Sequence, residues 1–314
     1  MIEVPQHLKG RDFTRLGSWN TEELKTVLDV ADSLKELQQQ GEPHELLPGR
    51  TLGMIFQKPS TRTRVSFEVG IAQLGGRGLY LAANDLQLGR GETIRDTGVV
   101  LSRYLDAIMI RAFAQDDVEE LAEHADIPVI NGLTDYAHPC QALADLMTIR
   151  EKLGRLSGTR LAYLGDGNNV CVSLMVGAAR FGMRFVAATP PGYEPDANAV
   201  TAARRAAVQM GGTVELVSDP QEAARDADAV YTDVWTSMGQ EDEAEKRRGD
   251  LAAYRIDSEL LKLAADDAIV LHCLPAHYGE EITEDVLYGP QSAVWDEAEN
   301  RLHAQKALMA LTIA

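Results

Sequence analysis

The chain has 314 residues, 45% of them apolar and 25% charged, a balance that suits a folded protein with a large core and excludes disordered and fibrous classes. Asp plus Glu number 48 against 30 Lys plus Arg, and the resulting charge of −18 argues against nucleic acid and anionic membranes as partners. The three cysteines, Cys140, Cys171 and Cys273, are odd in number and widely spaced, which suits reduced thiols rather than a disulfide framework or a zinc site.

The opening residues MIEVPQHLKGRDFTRL lack a basic stretch followed by an apolar one, and no run approaches the ~20 apolar residues that span a bilayer, so a cytoplasmic protein is expected. Apolar runs at 52–56, 79–82, 107–110 and 127–130 then read as strands. After a break at 153–158, a second series follows at 161–164, 185–189, 214–217, 229–232 and 269–272. Helical windows separate these runs, which predicts α/β architecture: two doubly wound parallel-sheet domains joined by interdomain helices. The expected boundaries are a first domain over 1–135, a bridging helix over 136–153 opened by Pro139 and stopped by Gly154, and a second domain over 154–297. A final apolar helix over 298–314 must bury its face somewhere and is expected to return to the first domain.

Four strings carry chemistry. Phe56-Gln57-Lys58-Pro59-Ser60-Thr61-Arg62-Thr63-Arg64 reads as strand, turn and helix start, so hydroxyls and guanidinium groups coincide with free N–H groups and the positive end of a helix dipole. That combination suits a phosphate, with Arg62 adding a bidentate fork; simple N-capping by Ser60 beside exposed arginines is the plainer alternative. Arg111 ends the third run. In Asp135-Tyr136-Ala137-His138-Pro139-Cys140-Gln141, His138 and Gln141 share one helix face and can contact a carbonyl oxygen and an adjacent amide nitrogen. The runs at 161–164 and 229–232 lead into Gly165-Asp166-Gly167-Asn168-Asn169 and Asp233-Val234-Trp235-Thr236-Ser237-Met238-Gly239, where Asp233 can bind an amine and Asn169 can open a helix. Cys273 follows the last strand. His272 beside it points to the opposite face, which makes the two a poor nucleophile and base couple.

Taken together, STRTR, HPCQALAD and HCLP, with NGLTD, GDGNN, DVWTSMG and WDEAENRL in the intervals, resemble the transcarbamylase superfamily over nearly the whole chain, and within it the ornithine carbamoyltransferase family. The resemblance implies a carbamoyl-phosphate domain followed by an amino-substrate domain. Ser60, Thr61, Arg62, Thr63 and Arg111 would hold the phosphate, and His138, Gln141 and Arg301 the carbamoyl end. Gln87 matches a loop, also containing Arg90, that reaches across from a neighbouring subunit. Asn169, Asp233, Ser237 and Met238 match the ornithine site, and Cys273 and Leu274 the segment beside the reacting groups. Arg62, Arg111, His138, Cys273 and Arg301 are the implied catalytic set, with Lys58 and Arg64 in support. No cofactor or metal is implied, and the assembly would be a homotrimer or a multiple of trimers with sites at subunit boundaries.

The implied reaction moves the carbamoyl group of carbamoyl phosphate to the side-chain amine of L-ornithine, giving L-citrulline and phosphate, with domain closure aligning the amine and excluding water. Aspartate is disfavoured as acceptor because the stretch 231–245 carries Asp233, Glu241, Asp242, Glu243 and Glu245 and no Lys or Arg. Putrescine offers the same amine without a carboxylate and stands as the alternative substrate. Two other classes stay open. A nicotinamide dehydrogenase is suggested by Gly165 and Gly167, but Val170 occupies the third glycine position. A non-catalytic amino-acid or phosphate-binding protein would use the same anion contacts.

Overall fold

The computed structural model describes residues 4–88, 91–237, 239 and 241–313. They form two compact units: unit 1 comprises Met1–Ala144 with Asn300–Ala314, and unit 2 comprises Asp145–Glu299.

Unit 1 opens with helix α1 (Thr21–Gln39), whose start is a capping box: the Asn20 side chain accepts the Glu23 N–H at 3.0 Å, and the Glu23 carboxylate accepts the Asn20 N–H at 2.7 Å. The chain continues through β1 (Thr51–Phe56), α2 (Thr61–Gln73), β2 (Arg77–Ala82), α3 (Ile94–Leu101), β3 (Ala107–Arg111), α4 (Gln115–His124), β4 (Val129–Leu133) and α5 (Pro139–Leu153). The four strands pair in parallel in the order β2-β1-β3-β4. β3 is buried throughout and β1 nearly so, as expected of strands covered on both faces, whereas the edge strand β2 exposes Leu79 and Tyr80.

The fourth strand lies later than the apolar run 127–130 suggests, because Asn131 and Gly132 belong to it. A polar residue can occupy a central position there only if its hydrogen bonds are met. Asn131 Nδ2 donates to the Thr14 carbonyl (2.9 Å) and to Gln115 Oε1 (3.2 Å), and Phe13 pairs with Ile130 as a bridge at the sheet edge.

Unit 2 runs through β5 (Arg160–Leu164), α6 (Asn169–Arg180), β6 (Arg184–Ala188), α7 (Ala197–Met210), β7 (Thr213–Val217), α8 (Pro220–Ala224), β8 (Ala229–Thr232), α9 (Ala244–Leu251), α10 (Ser258–Leu261), β9 (Ile269–His272), α11 (Glu284–Leu287) and the first turns of α12 (Val294–Ile313). Its five strands are parallel in the order β7-β6-β5-β8-β9. The core includes Leu164, Val186, Val230, Val270, Trp235 and Leu287.

The division between the units falls inside α5, between Ala144 and Asp145, and inside α12, between Glu299 and Asn300. Residues 136–153 are therefore shared between the two units. Both sheets reverse their winding beside their first strand, between β1 and β3 and between β5 and β8. In open α/β sheets, ligand sites form at the carboxyl ends of strands at such a reversal. No helix among the described residues is long and apolar enough to cross a membrane.

Candidate active site

In unit 1 the reversal point carries positive charge. β1 ends at Phe56, and the chain turns into α2 through Ser60, which is extended (φ −163°) and caps the helix by accepting the Thr63 N–H at 3.1 Å. This leaves the first-turn N–H groups of α2 beside Arg62. Arg111, at the end of β3, is buried, and its carbonyl accepts the Gln57 N–H (2.9 Å), which joins the two strand ends.

From α12 comes Arg301, whose side chain is also buried. Its Nη1 donates to Gln141 Oε1 at 2.8 Å and its Nη2 to Thr63 Oγ1 at 2.9 Å, so one guanidinium ties α2, α5 and α12 together within unit 1. His138, just before α5, is buried among these cations. Burial, followed by the charges of Arg301, Arg111 and Arg62, pushes its imidazole well below the usual histidine range. The ring is therefore neutral at physiological pH and offers an N–H as donor without adding a charge.

Supporting residues surround this group. Buried Lys58 pairs with Asp135 and lies 4.3 Å from the centre of the Phe113 ring. Cys140 donates its thiol to the Asn131 carbonyl at 3.3 Å, and burial raises its pKa to about 12, so it acts as packing. Arg64 lies 3.9 Å over the Tyr80 ring and is exposed. Gln87 is exposed in the segment after β2, and Arg90 lies outside the described residues.

In unit 2 the reversal point is acidic. Asp233, one residue past β8 and 5% exposed, gathers donors: Oδ1 accepts the Cys273 thiol (2.8 Å) and the Val234 N–H (2.8 Å), while Oδ2 accepts Asn168 Nδ2 (2.7 Å). Burial and then the Asp233 carboxylate push the Cys273 thiol well above its ordinary range, so this sulfur is a protonated donor and not a nucleophile. His272, the last residue of β9, does not turn fully away as strand alternation predicts: one of its ring nitrogens lies within 4.8 Å of the Cys273 sulfur and of an Asp233 carboxylate oxygen. Its Nδ1 accepts the Leu274 N–H (2.8 Å) and its Nε2 contacts Glu281 Oε1 (3.1 Å). Leu274 is held in the left-handed region at φ +57°, a conformation that non-glycine residues rarely adopt and that clusters at functional sites.

Asn169 begins α6, but the cap is its neighbour: Asn168 Oδ1 accepts the N–H groups of Val170 (3.0 Å) and Cys171 (3.2 Å) while its amide reaches Asp233. Ser237 lies half-buried in the loop after β8, and Met238 lies outside the described residues. The arginine nearest this loop in sequence is Arg247. Its guanidinium is engaged by Asp166 (2.8 Å), by Glu243 (3.1 Å) and by the Trp235 carbonyl (3.1 Å), so the acidic character inferred from 231–245 persists in the folded unit.

Within unit 1, Thr63, Gln141 and Arg301 are joined by hydrogen bonds, and Arg62, Arg111 and Arg301 act together on His138. Within unit 2, Asp233 and Cys273 meet directly. Sequence reasoning passed over Asn168, Glu281 and Arg247. Asn168 carried a signal, since an Asn directly before a helical run is a favoured cap; the other two become partners only through folding.

Comparison with known proteins places the whole chain. Residues 11–151 match the family description "Aspartate/ornithine carbamoyltransferase, carbamoyl-P binding domain", and residues 157–312 match "Aspartate/ornithine carbamoyltransferase, Asp/Orn binding domain". The ornithine carbamoyltransferase of Pyrococcus horikoshii is 58% identical over 306 residues, covering 98% of this chain and 96% of the relative. That of Symbiobacterium thermophilum is 59% identical over 307 residues, covering 98% and 99%. The solved ornithine carbamoyltransferase of Pyrococcus furiosus superposes with a TM-score of 0.95 at 56% identity, covering 98% of each chain. Matched in both halves and along nearly its full length, this chain belongs to the aspartate/ornithine carbamoyltransferase family.

Proposed function

We propose that this protein transfers the carbamoyl group of carbamoyl phosphate to the side-chain amine of L-ornithine, producing L-citrulline and phosphate. The observation that carries the reading is the gathering of Arg62, Arg111 and Arg301 around a His138 kept neutral by its burial and, next, by their charges. A phosphate dianion needs fixed cations and helix N–H groups, while the carbonyl it activates needs a donor that survives among them uncharged. Ser60, Thr61 and Thr63 with Arg62 and Arg111 take the phosphate. His138 and Arg301 receive the charge that develops on the carbonyl oxygen as the amine attacks, and Gln141 meets the carbamoyl NH2. The C–N bond then forms as the C–O bond to phosphate breaks, the electron pair leaves on phosphate already paired with the arginines, and the proton lost by the attacking amine passes to that phosphate or to solvent.

Asp233 supports a cationic co-substrate in unit 2, with Asn169, Ser237 and Met238 as its expected companions and Cys273 and Leu274 beside the reacting amine. Curated relatives at this level of identity are named ornithine carbamoyltransferases, which favours ornithine over putrescine. The exposed apolar residues of unit 1, among them Val65, Val69, Leu79 and Tyr104, support assembly from identical copies, and a trimer with Gln87 supplied to a neighbour's site is our reading of it.

The test is turnover: citrulline formed from carbamoyl phosphate with ornithine, putrescine or aspartate at equal concentration. Formation with ornithine alone at a high specificity constant supports the assignment, and equal values for ornithine and putrescine refute it.

A further inference from the structure

The turn after β9 carries donors that carbamoyl transfer does not use. His277, Glu280 and Glu281 each present one ligand atom, and these atoms lie within 4.8 Å of one another. The backbone fixes the turn: the Glu280 N–H donates to the His277 carbonyl (3.0 Å), and the Gly279 N–H donates to the Ile282 carbonyl (2.9 Å) with Gly279 at φ +84°, where a glycine is favoured.

Glu281 is fully buried, and its two oxygens differ. Oε1 accepts the His277 backbone N–H (2.6 Å) and contacts His272 Nε2 (3.1 Å), whereas Oε2 is buried with no hydrogen-bond donor among the described residues. A buried carboxylate oxygen in that condition calls for an explanation. The group facing it is Nδ1 of the exposed His277 ring, 3.8 Å away. That distance is too long for a hydrogen bond. It is compatible with two ligands of one ion, since metal bonds of about 2.0–2.2 Å to nitrogen and oxygen allow ligand atoms to stand up to ~4 Å apart. Glu280 is partly exposed, accepts the Arg248 Nε–H through one oxygen (2.8 Å), and offers an oxygen to the cluster.

We propose that His277, Glu280 and Glu281 bind a divalent transition-metal ion of the zinc type. One imidazole with two carboxylates is a mixed nitrogen and oxygen set, which suits zinc better than the all-oxygen shells preferred by calcium and magnesium. The other donor cluster in unit 2, Asp233 with His272 and Cys273, is internally hydrogen-bonded through the Cys273 thiol and both His272 ring nitrogens, and the Cys273→Ser variant below separates it from the proposed site. An ion on Oε2 leaves the bonds to Oε1 in place. It ties the exposed imidazole to a buried anchor and so staples the turn that supports His272.

Metal-stripped protein dialysed against zinc chloride is assayed for bound zinc and for melting temperature, with calcium chloride in parallel. About one zinc per chain and a higher melting temperature are expected, with calcium giving neither. His277→Asn, an exposed change that leaves the fold and the metal-free transfer rate intact, abolishes both effects. Glu281→Gln weakens zinc affinity at least about tenfold, and Cys273→Ser keeps the zinc. Zinc retained by His277→Asn, zinc lost through Cys273→Ser, or no zinc on the unaltered protein at micromolar free metal overturns the proposal.

Discussion

The two units use one plan with opposite charge. Each is a parallel sheet whose winding reverses beside its first strand, and each sets charged side chains by the strand ends at that reversal, Arg62 and Arg111 in unit 1 and Asp233 in unit 2. In unit 1 these are arginines around a neutral histidine. In unit 2 they are a carboxylate that collects a thiol, an amide and a backbone N–H. The fold supplies the location and leaves the charge free, so one architecture presents positive charge in one half of a chain and negative charge in the other.

The comparison breaks most sharply at Arg62. It is half-exposed, so Arg62→Ala should leave the melting temperature nearly unchanged while citrulline formation falls about 10³-fold, the scale for removing one charge-stabilising donor. An activity within a few-fold of the parent removes Arg62 from the anion site. Next in size is Asp233→Asn, which keeps an oxygen for the thiol and removes the charge. A loss of about 10²-fold in kcat/KM for ornithine, with carbamoyl-phosphate binding by calorimetry unaffected, is expected; equal damage to both ligands means the two halves are not separable in this way.

A smaller effect distinguishes the co-substrate's protonation from that of the protein. Ornithine's amine has a pKa of about 10 and must lose a proton to attack, so kcat/KM should rise about tenfold between pH 7 and pH 8. His138 is already neutral in this range and should add no inflection of its own. A flat profile contradicts amine deprotonation as the controlling step.

The smallest effect concerns the interior of unit 1. Lys306 is fully buried and, among the described residues, its hydrogen bonds go to Gln38 Oε1 (2.7 Å), Gln73 Oε1 (2.9 Å) and His44 Nε2 (3.1 Å), none of them a carboxylate, and burial lowers its pKa to about 8. The unfolded chain then holds this proton up to about pH 10.5 while the native state releases it near 8, so the residue's linkage makes stability rise with pH in that interval and contributes no slope below it. Relative to Lys306→Met, the parent should gain about 1 kcal/mol per pH unit between pH 8.5 and 9.5, measured by urea unfolding. Parallel curves would show that the amine stays protonated in the folded protein.

Most of the fold was legible because buried parallel strands are continuous apolar runs, and eight of the nine appear where such runs stand. The exception, β4, contains Asn131 and Gly132, whose fitness for a strand depends on Thr14 and Gln115, residues that sequence order does not bring near. The site was legible where it is local. Ser60 through Arg64 announce a helix start by composition, and Asp233 stands at a strand end. Arg301 was found through family resemblance alone, since nothing in its own helix marks it apart from other surface-type residues, and its partners Thr63 and Gln141 are distant in sequence. Glu281 reads as half of an ordinary acidic pair until folding buries it against His272.

The return of α12 to unit 1 bears on how the molecule is made. The sheet of unit 1 is complete once residue 133 has emerged from the ribosome, yet Arg301 reaches Thr63 and Gln141 only after all of unit 2 has been synthesised. A nascent chain halted between residues 138 and 300 carries Arg62, Arg111 and His138 without Arg301, so the proposed phosphate site would gain its last cation only when α12 is made.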